Sequence, residues 1–205
     1  MIELAGTKAL IFDAFVEMTS SVGYENVSIR DIARKVGINS ASIYYHFENK
    51  GEILECAYEY FRERQYDNRT PVEVLKEMIE TSEPEEIVRA FTHSFESENE
   101  MQYERMVLIT KIIYMRLFQD PVANAMFAEI KTNSIEYILT VLEHGVNIGR
   151  LNPDFDQETF ADVLIDTMRI MGIEAFAAPN YVVGQLDKEA RRLALVSKVF
   201  ASAFS

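Results

Sequence analysis

The amino-acid sequence predicts an all-α protein with a small N-terminal helical domain and a larger C-terminal helical bundle. Three observations carry this prediction. Apolar residues recur at helical rather than alternating spacing through almost the whole chain. The 205 residues include only 8 glycines and 5 prolines, which favours long, uninterrupted elements. Short polar residues that cap helices precede one apolar-periodic segment after another.

The N-terminal helices have clear start and stop signals. The first predicted helix begins near Thr7 and ends at Gly23, because glycine allows the backbone to leave the helix. Ser28 is the predicted N-cap of the second helix, since Asp31 follows it at the spacing of a capping box. That helix is predicted to stop at Gly37.

Further helix starts are predicted along the rest of the chain. Asn39 or Ser40 begins a third short helix that ends near His46. In Thr70–Glu73 the threonine is the predicted N-cap and the proline the first helical residue. The segment Glu100–Phe118 is apolar almost all round, so it is predicted to lie in the middle of the bundle. The other predicted starts are Asn49, Ser82, Asp120, Asp156 and Asp187.

Composition limits where the protein works. Cys56 is the only cysteine, which excludes an internal disulfide. No run of apolar residues approaches the length of a membrane span, and the N-terminus lacks the basic region of a signal peptide. These features predict a cytoplasmic protein without a membrane segment.

The charge distribution singles out one segment. The net charge of −13 argues against DNA binding over the whole surface, because DNA would repel such a chain. Between Ser28 and Lys50, however, basic residues outnumber acidic ones. Any DNA-binding surface is therefore expected to be local and to lie in this segment.

The same segment has the pattern of a helix-turn-helix. Ala33 is small enough for two helices to cross, Gly37 can adopt a positive φ in the turn, and Ile43 supplies the buried face of the second helix. Short hydroxyl residues leave a backbone free to enter the major groove, and Tyr and His can bind phosphates or base edges. The residues predicted to face outward are Ser40, Ala41, Ser42, Tyr44, Tyr45 and His46.

The stretch Thr7–Leu54 resembles the tetracycline-repressor (TetR-like) family of bacterial transcription regulators. The residues that carry this resemblance are Gly23-Tyr24, Ser28-Ile29, Asp31-Ile32-Ala33, Gly37-Ile38, Ile43-Tyr44-Tyr45-His46-Phe47 and Lys50. The resemblance covers about a quarter of the chain. It implies a helix-turn-helix domain over residues 1–50 and a ligand-binding and dimerisation domain over residues 51–205.

The resemblance also implies roles for single residues. Arg30 would reach a base edge from the first helix of the motif. Ser40, Ser42 and Tyr45 would face the groove, and the implied phosphate ligands are Ser28, Tyr44, His46 and Lys50. The sequence departs from the family pattern in two places. It lacks a basic N-terminal arm, and position 41 is alanine where a longer polar residue or glycine is common.

For the C-terminal bundle, the resemblance implies a small effector and a homodimer. The predicted dimer interface is formed by the last two helices, near Asp156–Ala178 and Asp187–Phe204, where Gly172 and Ala175 are small enough for close helix approach. Its apolar residues are Phe160, Val163, Leu164, Met168, Met171 and Ala175 in the first helix and Leu193, Leu195, Val196, Val199 and Phe200 in the second. The surplus of Met, Phe and Tyr, and the scarcity of cations in Glu100–Phe118, indicate an effector that is largely apolar. The candidate ligand-binding residues are Tyr103, Met106, Tyr114, Tyr137 and Met168. The expected function is a repressor that leaves a pseudo-palindromic operator when the effector binds. A corepressor-dependent regulator or an activator are the alternatives.

An enzyme and a protein-interaction adaptor are the two other classes of protein to which an all-α chain of this length could belong. The three histidines, His46, His93 and His144, lie far apart without metal-site spacing, and no glycine-rich phosphate loop occurs. The sequence therefore predicts no enzyme, no metal and no cofactor. The remaining alternative is an all-α adaptor that uses the helix-turn-helix to contact another protein.

Overall fold

The computed structural model describes residues 4–64, 66, 69–92, 100–177 and 182–204, and these residues are helical almost throughout. Apart from an isolated bridge between Leu151 and Phe204, the described ranges contain no strand, so the all-α prediction is confirmed. The helices are α1 (Gly6–Val22), α2 (Ile29–Val36), α3 (Ser40–Ile43), α4 (Lys50–Arg64), α5 (Val72–Thr81), α6 (Pro84–Thr92), α7 (Glu100–Arg116), α8 (Pro121–Asn147), α9 (Gln157–Ala177) and α10 (Val182–Ala201), with a 3-10 turn at Tyr24–Asn26.

The chain forms two compact units. The first contains α1 to α4, α7 and the start of α8 up to residue 127. The second contains α5, α6, α8 from residue 128, α9 and α10. Contacts thus group α4 and α7 with the N-terminal helices, while the expected functional boundary at residue 50 stays a prediction.

The first unit has its own apolar core. Its central helix is α1, which packs against α2, α4 and α7. Cys56 is buried in this unit, and burial raises the pKa of its thiol to about 11, so the thiol stays protonated and unreactive at neutral pH. The fully buried side chains of α1 to α4 include Ile11, Phe12, Phe15, Ile32, Ile43, Phe47 and Ile53.

The predicted helix caps around the helix-turn-helix are confirmed. Ser28 and Asp31 form the reciprocal hydrogen bonds of a capping box at the start of α2. Gly37 ends α2 in the left-handed region at φ 78°. Asn39 and Asn49 each accept a backbone hydrogen bond in the first turn of α3 and α4.

Two helix starts differ from the prediction. Thr70 does not cap α5, because its hydroxyl donates to the carbonyl of Ala90 at 3.1 Å and Pro71 occupies the cap position. α10 begins at Val182 rather than at Asp187. The acidic residue looked like a cap by its chemistry, but the apolar residues before it continue the helix.

The prediction that α7 is surrounded by the bundle is wrong. α7 packs on α1 and α4, and Ile109, Ile112 and Ile113 are buried there. Met101 and Met115 remain exposed on the same helix. The helix is apolar on more faces than the described structure covers, so composition alone overstated its burial.

The core of the second unit lies between α5, α6, α8, α9 and α10. Phe160 of α9 and Phe200 of α10 stack with ring centroids 4.9 Å apart. The other large buried side chains include Leu75, Ile79, Ile87, Phe91, Leu142, Leu151 and Leu164. Among the described residues, no helix is both long and apolar enough to span a membrane.

Candidate nucleic-acid interface

The helix-turn-helix is built on a buried contact between α2 and α3. Ile32 on α2 and Ile43 on α3 are both 0% exposed, and the neighbouring Ala33 is 3% exposed. The positive φ of Gly37 reverses the chain between the two helices, a conformation that most other residues would adopt only with strain. These residues hold the outer surface of α3 in a fixed orientation.

Tyr44 and Tyr45 lie on that outer surface. Tyr45 is 88% exposed and Tyr44 is 57% exposed, so neither ring belongs to the core. α3 ends at Ile43 instead of near His46, and a turn follows in which the amides of His46 and Phe47 donate to the Ile43 carbonyl. An exposed tyrosine pair beside a basic segment suits contact with a polar partner such as DNA.

The short residues of α3 are arranged around its N-cap. The Ser42 hydroxyl donates to the side-chain oxygen of Asn39 at 3.0 Å, which also accepts from the Ser42 amide. Ala41 is exposed and Ser40 is half-buried. This end of α3 therefore presents small side chains, which permit a close approach of its backbone to another surface.

The start of α2 places Ser28 and Arg30 differently. The Ser28 hydroxyl donates to the Asp31 carboxylate, which also binds Arg34 at 3.1 Å. The hydrogen bonds from Ser28, with a smaller contribution from Arg34, lower the pKa of Asp31. The Ser28 hydroxyl is thus engaged in capping, whereas the Arg30 side chain is exposed.

Lys50 is held by the turn that precedes α2. Its Nζ donates to the carbonyls of Tyr24 at 2.8 Å and Val27 at 2.9 Å. The same Nζ lies 3.9 Å from the Tyr24 ring centroid, so two carbonyls and this ring already surround much of the ammonium group. The side chain therefore ties the start of α4 to this turn, and its phosphate contact stays a prediction.

We expect Lys50→Ala to weaken binding to all DNA sequences about equally. Its loss should also reduce the slope of log K against log salt by about one per half-site, because one phosphate contact releases roughly one counterion. Fluorescence anisotropy at several salt concentrations measures both quantities. Lys76→Ala, which removes an α5 lysine paired with Glu73, is the control. An unchanged slope for Lys50→Ala would restrict Lys50 to a structural role.

Two contacts of this surface were not predicted from the sequence. The Lys8 ammonium lies 5.2 Å from the ring centroid of Phe47, and Arg116 of α7 lies 4.3 Å from the ring centroid of Tyr24. Lys8 was recognisable as an isolated cation near the N-terminus. The contact between Arg116 and Tyr24 joins residues far apart in the chain, and no local pattern indicates it.

The five candidate ligand-binding residues do not form one described cavity. Tyr103, Met106 and Tyr114 share one face of α7 in the first unit, and the Tyr114 ring packs edge-on against Phe127 at 5.7 Å. The other two belong to the second unit. There the Tyr137 hydroxyl donates to the Thr70 carbonyl at 2.6 Å, and Met168 packs against the core. Their role in effector binding stays a prediction.

A groove of about 480 Å³ lies between α9 and α10 in the second unit. Its walls are mainly apolar, and Val163, Leu195 and Val199 are each at least half exposed. Gly172 does not line this groove, although a methyl group added there would meet only open space. Five of the lining residues, Phe160, Val163, Leu195, Val196 and Val199, belong to the apolar faces that the sequence predicts for dimerisation, and none of the lining residues is a candidate ligand residue. The side chain of Ala175 lies outside the described part.

The helix-turn-helix region is similar to a known family of proteins. Residues 11–57 match the family described as bacterial regulatory proteins, tetR family. The HTH-type transcriptional regulator SrpR of Pseudomonas putida is 25% identical over 77% of this chain and 69% of its own length. The negative transcriptional regulator IcaR of the biofilm operon icaADBC in Staphylococcus epidermidis is 32% identical over 35% of this chain and 43% of its own length. These relatives are regulators rather than enzymes.

The fold as a whole matches solved regulators. The ketosteroid transcriptional regulator KstR2 of Mycobacterium tuberculosis superposes with a TM-score of 0.60 at 20% identity, with both chains covered completely. A putative TetR-family transcriptional regulator from Mesorhizobium loti gives a TM-score of 0.63 at 16% identity over 96% of each chain. At these identities the similarity establishes the fold. Among the described residues, no cluster of three His, Cys, Asp or Glu side chains could hold a metal ion.

Proposed function

We propose that the chain is a TetR-family transcriptional regulator, as its match to that family over residues 11–57 supports, and that it is a homodimeric repressor released from its operator by a small effector. The observation that carries the proposal is the exposed surface of the helix-turn-helix, where Tyr44 and Tyr45 stand beside small residues on a rigid base. Because its proposed target is operator DNA, we propose that the protein acts in the cytoplasm.

The residues of this surface divide into two proposed groups. Tyr45, Ser40, Ala41 and Ser42 are proposed to face the major groove, and Arg30 is proposed to reach a base edge. Phosphate contacts are proposed for the others, Ser28, Tyr44, His46 and Lys50. Only contacts to base edges distinguish sequences, whereas phosphate contacts hold the protein in register.

A second copy of the chain is proposed to cover the groove between α9 and α10. Val163, Leu195 and Val199 would lose water-exposed apolar surface in such a contact, which favours association. A two-fold dimer positions two copies of α3 for two half-sites, about 34–36 Å apart or somewhat more.

The proposed effector is a small neutral or cationic lipophile that binds the helices after α4. The support is chemical, because α7 and α8 supply Met, Phe and Tyr side chains and few cations. Its proposed contacts are Tyr103, Met106, Tyr114, Tyr137 and Met168. Regulators that bind DNA only with a corepressor, and activators, are the alternatives within the family.

Effector and operator are expected to weaken each other's binding. The usual coupling between two linked sites is about 1–3 kcal/mol, or roughly 5–150-fold in affinity, and it is reciprocal. Calorimetric titration of a compound that raises the melting temperature, with and without operator DNA, measures it. Equal affinity in both titrations would show that the compound is no inducer. Tighter binding in the presence of DNA would identify a corepressor-dependent regulator.

An adaptor that binds another protein through the helix-turn-helix is the alternative from a different class. A mobility-shift assay with double-stranded DNA separates the two functions. A regulator retards a specific fragment in the presence of excess random DNA, whereas an adaptor does not. The local excess of basic residues between Ser28 and Lys50 favours the regulator.

A further inference from the structure

Two cations, which come from chain segments distant in sequence, lie against the Tyr24 ring. The Lys50 ammonium lies 3.9 Å from the ring centroid, and the Arg116 guanidinium carbon lies 4.3 Å from it. Phe15 of α1 packs edge-on against the same ring at 6.3 Å. Because a cation is attracted to an aromatic face, the ring holds the start of α4 and the end of α7 together.

This ring is part of the turn that leads into the helix-turn-helix. Lys50 also binds the backbone carbonyls of Tyr24 and Val27, and the next residue, Ser28, is the N-cap of α2. The position of the Lys50 ammonium therefore depends on both the ring and the backbone of this turn. Through these contacts the turn that leads into α2 is fixed relative to the first residue of α4.

Arg116 is itself held in place by acidic partners. Its Nε donates to the Asp120 carboxylate at 3.0 Å, and its Nη1 lies 3.5 Å from the Glu25 carboxylate. The side chain is only 14% exposed. Arg116 is therefore pinned between the ring of Tyr24 and two carboxylates, which limits the positions that its guanidinium can occupy.

Asp120 connects this arrangement to the start of α8. It accepts hydrogen bonds from the Tyr58 hydroxyl at 3.0 Å and from the Val122 amide at 2.9 Å. Although partial burial acts to raise the pKa of Asp120, hydrogen bonds from Arg116 and Tyr58 hold it below its ordinary value. The carboxylate is thus ionised at neutral pH, as its contact with the guanidinium requires.

We infer that Tyr24 and Arg116 are positioning residues for DNA recognition. They act through Lys50 and the turn before α2, and they need no contact with DNA themselves. The inference rests on the proposed DNA binding and adds to it two residues outside the helix-turn-helix, one of them on α7. The inference gives a role to Arg116, a mostly buried basic residue at the end of α7. The other buried residues described on α7 are isoleucines.

The test compares three substitutions on a DNA fragment that the wild-type protein enriches from a random pool. Arg116→Met and Tyr24→Leu are expected to weaken binding about tenfold, because each removes one side of the cation–aromatic contact. Tyr24→Phe keeps the aromatic face and is expected to stay within about twofold of the wild type. The salt slope should fall by less than it does for Lys50→Ala, since the Lys50 ammonium is displaced rather than removed.

Arg105→Met is the matched control for a general loss of stability. Arg105 also lies on α7 and forms an ion pair with α1, through two hydrogen bonds to Asp13 at 2.7 and 2.8 Å. It touches neither Tyr24 nor Lys50 in the described contacts. We expect this variant to lower the melting temperature without weakening DNA binding more than about twofold. All affinities are measured where circular dichroism shows folded protein.

Arg116→Lys replaces Arg116→Met if the latter unfolds. This variant keeps the charge but not the planar guanidinium, and it is expected to weaken DNA binding by less than Arg116→Met does.

A double-mutant cycle between Arg116→Met and Lys50→Ala completes the test. If both act through the Tyr24 ring, the double variant should bind DNA more tightly than the product of the two single losses predicts. Independent losses that multiply would overturn the inference, and so would equal weakening by Arg116→Met and Arg105→Met. If the wild-type protein enriches no DNA at all, the proposed function fails instead, which is a distinguishable result.

Discussion

Replacing Leu195 and Val199 together by glutamate is expected to make the protein monomeric and to weaken its binding to a two-half-site DNA by about 10²–10⁴-fold. Leu195 is 64% exposed in the groove between α9 and α10, and Val199 lies one helical turn further on. Two charges there would have to be desolvated against a second copy of the chain. Each monomer would then bind one half-site on its own. The affinity gained when two linked helix-turn-helix domains bind both half-sites together would be lost.

Light scattering and DNA titration on the same samples measure this effect. The mass should fall to the 23.6 kDa of one chain, while the circular dichroism spectrum stays helical. Val74→Glu is the matched control, because Val74 is an exposed apolar residue on α5 outside the groove. A wild-type protein that is already monomeric at micromolar concentration would contradict the proposed dimer. A glutamate variant that remains dimeric would show that the interface lies elsewhere.

Tyr45→Ala is expected to cost about 1–3 kcal/mol in binding to the preferred DNA sequence, which is roughly 5–150-fold. Its side chain is 88% exposed, so its removal should leave the folded state nearly unchanged. A residue that touches a base edge should also change which sequences are preferred. Selection from a random pool with the variant, followed by anisotropy on wild-type and new sequences, measures both effects.

Lys50→Ala provides the contrast for this experiment. A phosphate contact gives a similar loss on every sequence, together with a lower salt slope. If Tyr45→Ala also weakened all sequences equally, the proposed division between base and phosphate contacts would be wrong. An unchanged affinity would place Tyr45 outside the interface altogether.

The sequence predicted local structure well because local structure has local causes. Ser28 and Asp31 form their capping box within one turn, and Gly37 ends α2 because glycine tolerates a positive φ. The burial of Ile43 and the exposure of Tyr45 follow from their places on a short helix that must cover a core. These are the features on which the family resemblance also depended.

The contacts that the sequence did not predict are long-range. The arrangement of Lys50, Tyr24 and Arg116 brings together three chain segments, and no spacing in the sequence brings them next to one another. For Thr70, the cap pattern was present but a tertiary hydrogen bond to Ala90 took its hydroxyl. In each of these cases packing between distant segments, rather than helix propensity, decided the outcome.

α7 shows the same limit for burial. Its apolar residues cover more of the helix surface than α1 and α4 can bury, and Met101 and Met115 remain exposed. Periodicity indicates that a helix has apolar faces, but it does not identify what covers them. For this reason the sequence alone does not decide whether Tyr103, Met106 and Tyr114 on this helix face an effector or another helix.

Selection of DNA from a random double-stranded pool by the purified protein is the sharpest test of sequence-specific DNA binding, because it requires no knowledge of the operator. We predict enrichment of a pseudo-palindrome with two half-sites, bound by two chains, and loss of that enrichment with Tyr45→Ala. Recovery of no common sequence, or of one that Tyr45→Ala enriches equally well, would contradict a regulator that reads DNA through this helix-turn-helix.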